Sequence, residues 1–185
     1  MSLQLTSPPA LEPVTLAEAK AHLKLDTSDE DALVATLITA ARARAEWHSG
    51  RAFVTQGWML RLDSWPQDGI AEIPLPPLVS VGEVAVIADD DVRTVLDPAV
   101  CYVDKASEPG RVVFADGPPV RLRKRDCLEI AFTAGYGDAA TAVPGSIREA
   151  ILEIVGDLYS HRGDEYGTVG LAGQALLAPY RILKL

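Results

Sequence analysis

Apolar positions recur along this chain with two different periods, and the period changes twice. Between residues 14 and 50 they follow helical spacing. Leu16, Ala19 and Leu23 make a short stripe. Thr15 suits its N-cap, and Glu18, three residues on, completes a capping box. Leu33, Val34, Leu37, Ile38, Ala41 and Ala45 make a longer stripe. The run Thr27-Ser28-Asp29-Glu30-Asp31 offers a cap and sets acids at the positive end of the helix dipole, and Gly50 suits the residue just past the C-terminus. This second stripe is wider than the first helix can cover, so a further packing partner is expected.

From Gln56 the period falls to two. Trp58, Leu60 and Leu62 alternate with Met59, Arg61 and Asp63, as in a strand with one buried face. Ile70 and Ile73-Pro-Leu-Pro-Pro read as a short edge strand, because proline cannot donate to a ladder. Val81–Ala88, Val92–Leu96, Cys101–Asp104, Arg111–Phe114 and Cys127–Thr133 follow, separated by acidic and Pro/Gly turns. This predicts an all-β lobe, a small barrel or a sandwich of hairpins. Helical spacing returns after Pro144, which fits a first turn, with Ile147, Ala150, Ile151, Ile154, Val155 and Leu158 on one stripe.

The fold class expected is therefore α+β. A small three-helix bundle core (residues 14–54 plus 143–162) carries an inserted all-β lobe (55–142), followed by an extended C-terminal tail. Residues 1–13, with Pro8, Pro9 and Pro13, read as an extended N-terminal arm, and 163–185 as a flexible, glycine-rich linker and a partner-binding tail. In that tail Leu176, Leu177, Tyr180, Ile182, Leu183 and Leu185 are apolar, Pro179 breaks any long helix, and Arg181 and Lys184 flank them. Two outcomes are open: the tail folds back on its own domain, or it docks on a partner with an aromatic and an arginine as anchors.

A net charge of −9 argues against a protein that holds nucleic acid by neutralising phosphates, although an acidic wall lets a duplex slide without sticking. One basic cluster, Arg121, Arg123, Lys124 and Arg125, stands against that trend, inside a stretch (55–142) with 8 basic and 14 acidic residues. It reads as a solvated hairpin tip, a DNA-facing loop or a contact with the acidic face of a neighbouring copy. Cys101 and Cys127 lie in apolar runs and read as buried thiols or a single bridge. No secretory signal pattern opens the sequence and no apolar run approaches the roughly 20 residues of a membrane span, so a soluble protein made in a cytoplasm is expected.

Catalytic chemistry finds little support. His22, His48 and His161 fall on separate helices without a neighbouring Cys or His. Asp89-Asp90-Asp91 lacks the spacing of an EF-hand, and Gly135-Tyr-Gly137 lacks the remaining elements of a dinucleotide or P-loop motif. No nucleophile elbow is present. No catalytic, cofactor-binding or metal-binding residue is assigned, and no cofactor is expected.

Several pieces in order carry a resemblance: V-T-L-A-E-A-K-x-H-L at 14–23, Leu37-Ile38-x-x-Ala41-Arg42, Gly50-Arg51-Ala52, Gln56-x-Trp58, Pro74-Leu-Pro-Pro-Leu-x-Ser-Val81, Tyr102-x-Asp104, Phe132-x-Ala134-Gly-Tyr-Gly137 and Val143-Pro144-x-x-Ile147, leading to Tyr159 and Arg162. Over residues 14–162 the chain resembles the head–tail connector (adaptor) proteins of long-tailed phages and gene transfer agents. The resemblance implies a non-catalytic virion protein at the head–tail junction, assembled in the host cytoplasm. It implies a closed ring of about twelve copies beneath the portal, which extends the DNA channel and offers an attachment site to a stopper or tail-completion protein. DNA would pass through without sequence-specific binding. It also implies that the tail (Leu176, Leu177, Pro179, Tyr180, Arg181, Ile182, Leu183, Leu185) reaches the portal, with Arg162 a further partner contact. Two rivals stand beside it. One is a DNA-binding packaging factor using Arg121–Arg125, the other a hydrolase acting on DNA or cell wall.

Overall fold

The computed structural model describes residues 1–161 and 169–182. Its backbone divides into two compact units, residues 1–9 with 55–136, and residues 10–54 with 137–185.

The first unit is built of antiparallel strands. A five-stranded sheet runs β1 (Ser2–Ser7), β2 (Gln56–Leu62), β8 (Leu128–Ala134), β4 (Leu78–Ile87), β5 (Arg93–Val95). A three-stranded sheet runs β3 (Ile70–Ile73), β7 (Gly110–Phe114), β6 (Cys101–Asp104). The expected edge position of Ile70–Ile73 is found. Leu60, Leu128, Ile130 and Phe132 point into the core as their alternation predicts, and Ile73, Val112 and Phe114 are buried on the smaller sheet. Register follows from that face: Leu60 lies opposite Ile130 and Leu62 opposite Leu128. The sheets meet at Gly110, where a Cβ would come within 2.6 Å of Leu78 Cδ2. Cys101 and Cys127 are free thiols, and burial pushes both pKa values up.

The N-terminal arm has a different role from the one expected. Ser2–Ser7 is a full strand paired to β2, with Leu3 opposite Leu60. The β unit thus extends beyond the expected 55–142 segment, because residues 2–7 pair within it. Side chains from all five strands of the larger sheet link into one network. Arg61 Nε donates to Glu129 Oε1 (2.9 Å), Arg93 Nε donates to Glu129 Oε2 (3.0 Å), Arg61 Nη1 donates to Gln4 Oε1 (2.8 Å), and Arg93 also pairs with Glu83. Burial alone would raise the Glu129 pKa, but the two guanidiniums outweigh it and hold the carboxyl below its usual range.

The second unit is helical: α1 (Leu16–Leu23), α2 (Asp31–Ser49), α3 (Gly145–Ser160) and α4 (Leu171–Leu177). The capping box forms as read from sequence. Thr15 Oγ1 accepts from Glu18 N at 3.2 Å, and Glu18 Oε2 accepts from Thr15 N at 2.8 Å. The backbone N–H and the hydroxyl of Thr15 both donate to Glu18 Oε2, at 2.8 Å each, and with the nearby Arg148 guanidinium they hold the Glu18 pKa low. Gly50 closes α2 in the left-handed region at φ 72°. The buried stripe of α2 is Val34, Ile38, Ala41 and Ala45, continued by Ser49, while Leu33 is exposed. On α3, Ile147, Ala150, Ile151, Ile154 and Val155 are buried and Leu158 is half-buried.

The three-helix description needs correction. A fourth helix packs on α3, and it covers apolar surface that α1 and α2 leave open. Leu171–Gly173, read from sequence as mobile linker, are its first turn. Glycine is the reason it fits there: a Cβ on Gly173 would approach Val169 Cγ1 to 2.8 Å and Ile154 Cγ1 to 3.4 Å. The residue that looked like a linker signal is a close helix contact.

Candidate assembly interfaces

The C-terminal segment is the first place to look for partner binding, and most of it is already engaged. Leu177 is fully buried within the helical unit, with 0% of its surface exposed. Gln174 Nε2 bonds back to Val169 O (2.6 Å) and steadies the short α4. Beyond it the chain crosses the C-terminal end of α2. Ile182 N donates to Ser49 O at 2.9 Å, and Arg51 Nε donates to the Tyr180 carbonyl at 2.5 Å. Tyr180 Oη lies 2.9 Å from Ser146 Oγ on α3. Arg51 is only 8% exposed, so its charge depends on such acceptors. Nothing in the sequence pattern marked Arg51 as buried.

The described tail residues therefore divide into two sets. Leu177 is an anchor inside its own unit, and Leu176, Tyr180 and Ile182 are half-buried. Pro179 and Arg181 are exposed. Leu183 and Leu185 lie outside the described residues, as does Arg162. Of the two outcomes left open by the sequence, folding back is the one seen for residues 171–182.

The basic cluster is partly neutralised from within its own unit. Arg121 pairs with Asp89 (3.2 Å) and Arg123 with Asp91 (3.2 Å), drawing on the acidic run that precedes β5. Backbone bonds zip the two loops together, Asp89 N to Arg121 O at 3.0 Å and Arg123 N to Ile87 O at 3.2 Å. Arg123 also donates to the carbonyls of Arg125 and Asp126. Arg121, Lys124 and Arg125 are exposed, but a phosphate arriving here competes with carboxylates already in place.

A third surface was not marked from sequence. The outward face of α2 carries Thr36, Ala40, Ala43 and Trp47 at helical spacing, ending in an indole that is 87% exposed. A tryptophan so exposed is unusual, since most of its surface is normally withdrawn from water. The helix beneath it is braced: Arg42 bridges Glu12 (2.7 Å) and Glu46 (2.6 Å), and Glu46 Oε1 accepts from Phe53 N (2.9 Å). On α4, Leu171 is likewise 85% exposed.

Among the described residues no group of three or more His, Cys, Asp and Glu side chains is placed to hold a metal ion. His22 lies on α1, His48 in the last turn of α2, and His161 ends α3, with its Nδ1 3.0 Å from Asp157 O. Among the described residues no helix is long and apolar enough to cross a membrane. The cleft lined by Trp65, Phe114, Asp68 and Asp116, of about 520 Å³, is open, and holds no nucleophile–base pair.

Residues 13–92, spanning α1, α2 and the first strands that follow, match the family model described as phage gp6-like head-tail connector protein. The resemblance to head–tail connectors holds. That family is one of virion connector proteins and not of enzymes. No curated protein matches the chain. Among solved structures, a chain from the neck of an empty GTA particle computed with C6 symmetry superposes with a TM-score of 0.85 at 24% identity. A chain from the neck of a native GTA particle computed with C12 symmetry gives 0.81 at 23%. One from the virion of a native gene transfer agent particle gives 0.81 at 22%. Each alignment covers 100% of this chain and 97% of the other. At this identity the three likenesses establish a shared fold, and they include the tail beyond the family match.

Proposed function

We propose that the chain is a head–tail adaptor of a phage or gene transfer agent. It assembles as a ring beneath the portal, lengthens the DNA channel and presents the attachment site for a stopper or tail protein. The observation that carries this reading is the connector match at residues 13–92 together with a full-length fold shared with chains in the necks of GTA particles, computed with C6 and C12 symmetry. A net charge of −9 suits a channel wall, because it repels passing phosphates.

In this reading the exposed Pro179 and Arg181 face the portal, with Leu177 holding the segment that presents them. Arg162, Leu183 and Leu185 belong to the same contact. The β unit, with its internally paired Arg121 and Arg123, serves subunit or tail contacts and not duplex retention.

The test is a pull-down of the full chain on cognate portal, with Arg181→Glu beside it. Binding by the native chain, weakened at least tenfold by Arg181→Glu, is expected. Loss of all portal binding together with DNA retention that falls steeply with salt would overturn the adaptor and favour a packaging factor. Equal binding by both forms would keep the adaptor and remove Arg181 from the contact.

A further inference from the structure

A closed ring of identical subunits needs two different patches on each copy, so that one surface of a subunit meets another surface of the next. The helical unit has two exposed apolar patches that suit this, and their charges differ. The first is the α2 face ending in Trp47, with Arg44 one turn before it on the same side. Lys20, Arg42 and Arg148 are tied to carboxylates and Arg51 is buried, whereas Arg44 makes no ion pair among the described residues. The second is Leu171 with Ala172 and Ala175 on α4, all exposed. Asp157 abuts Gly170, the residue before Leu171, and Glu153 stands one turn earlier on α3. Neither carboxylate has an ion-pair partner among the described residues.

The two patches also lie far apart on the helical unit. On α3, Tyr159 reaches Glu30 at the start of α2, while Asp157 meets the start of α4. Both contacts lie at the Glu30 end of α2, whereas Trp47 stands in its last turn, about 25 Å along the helix at 1.5 Å per residue. A subunit whose cationic aromatic patch and anionic apolar patch are separated in this way cannot satisfy them against each other. It can satisfy both in a head-to-tail arrangement.

We infer that Trp47 and Arg44 of one copy dock against Leu171, Glu153 and Asp157 of the next copy. This deepens the ring reading and rests on it. The indole supplies the large desolvated anchor typical of interface centres, the alanine face lets the backbones approach, and the Arg44 charge selects the acidic side of the neighbour. Each contact is small, and closure of the ring makes the set cooperative.

The experiment uses the full chain assembled on cognate portal and viewed by negative-stain electron microscopy. An Arg44→Cys/Glu153→Cys double variant is treated there with a short bismaleimide, with each single variant and the native chain as controls for Cys101 and Cys127. A covalent ladder rising to ring size is expected from the double variant alone, and Trp47→Ala is expected to lower ring yield at least tenfold while leaving the circular dichroism spectrum unchanged. Rings that form without a ladder, or that survive Trp47→Ala at native yield, would overturn this pairing and leave the ring standing. No rings from the native chain would overturn the ring reading, and the pairing with it.

Discussion

Replacing Leu177 by alanine probes whether the tail is integral to the helical unit. Its side chain is fully buried, so truncation removes apolar contact and leaves a cavity that the close Gly173–Ile154 approach has little room to collapse. Buried Leu→Ala changes cost about 2–5 kcal/mol, against a total stability of about 5–15 kcal/mol for a domain. The other ties on this segment, Arg51 to the Tyr180 carbonyl and Ile182 N to Ser49 O, are hydrogen bonds worth about 0.5–1.5 kcal/mol each. Leu177 therefore outweighs either. Urea denaturation followed by circular dichroism should show a loss of about 2–5 kcal/mol at unchanged slope. Amide exchange should quicken at Gln174 and Ile182, whose N–H groups are bonded to Gly170 O and Ser49 O. A stability change under about 0.5 kcal/mol with exchange at those two amides unaltered would refute the reasoning, because no buried leucine on a docked helix behaves that way.

Other perturbations follow from single features. Thr15→Ala removes the N-cap acceptor of α1 and is expected to cost about 1 kcal/mol in the same denaturation assay. Gly110→Ala drives a methyl into Leu78, including its Cβ at 2.9 Å, and should cost about 1–3 kcal/mol, read as a lower thermal midpoint. Glu18 and Glu129 both have depressed pKa values in the folded chain. Their contribution is complete above the ordinary carboxylate range and is lost as pH falls through their folded values, so acid titration of stability should flatten in Glu129→Gln. Replacing Arg121 and Arg123 by alanine should leave DNA retention unchanged in a filter-binding assay at physiological salt, since both already face Asp89 and Asp91.

Sequence pattern was a good guide wherever one face of an element is buried and the next element is near in the chain. The capping box at Thr15, the Gly50 stop, the stripe on α3 and the alternation in β2 all announce themselves locally, and the structure has them. It was a poor guide where long-range backbone pairing does the work. Ser2–Ser7 buries none of its side chains fully, so its strand exists through the ladder to β2, which leaves little mark on residue choice. Helix α4 was hidden for a related reason: with seven residues it is too short for a period to show, and its glycine reads as a breaker. Trp47 leaves no mark in the pattern, because a single aromatic outside the apolar stripe does not say how much of it is covered. Only the packing around it reveals that most of the indole is open to solvent.

The distribution of ion pairs bears on how such a chain assembles. Several of its basic residues are held by its own carboxylates: Arg61 and Arg93 on Glu129, Arg42 between Glu12 and Glu46, Arg148 on Glu18, Lys20 on Asp31. Most of these pairs are half-buried, so salt screens them less than it would exposed pairs. They also withhold these cations from anything outside, on a molecule that is acidic overall. Two copies approaching at random meet acid against acid and repel, which disfavours disordered association. Attraction is then confined to places where an unpaired cation meets unpaired acids. In the helical unit Arg44 beside Trp47 is such a cation, and Glu153 with Asp157 beside Leu171 are such acids. Specificity of this form comes as much from the repulsive remainder of the surface as from the contact itself.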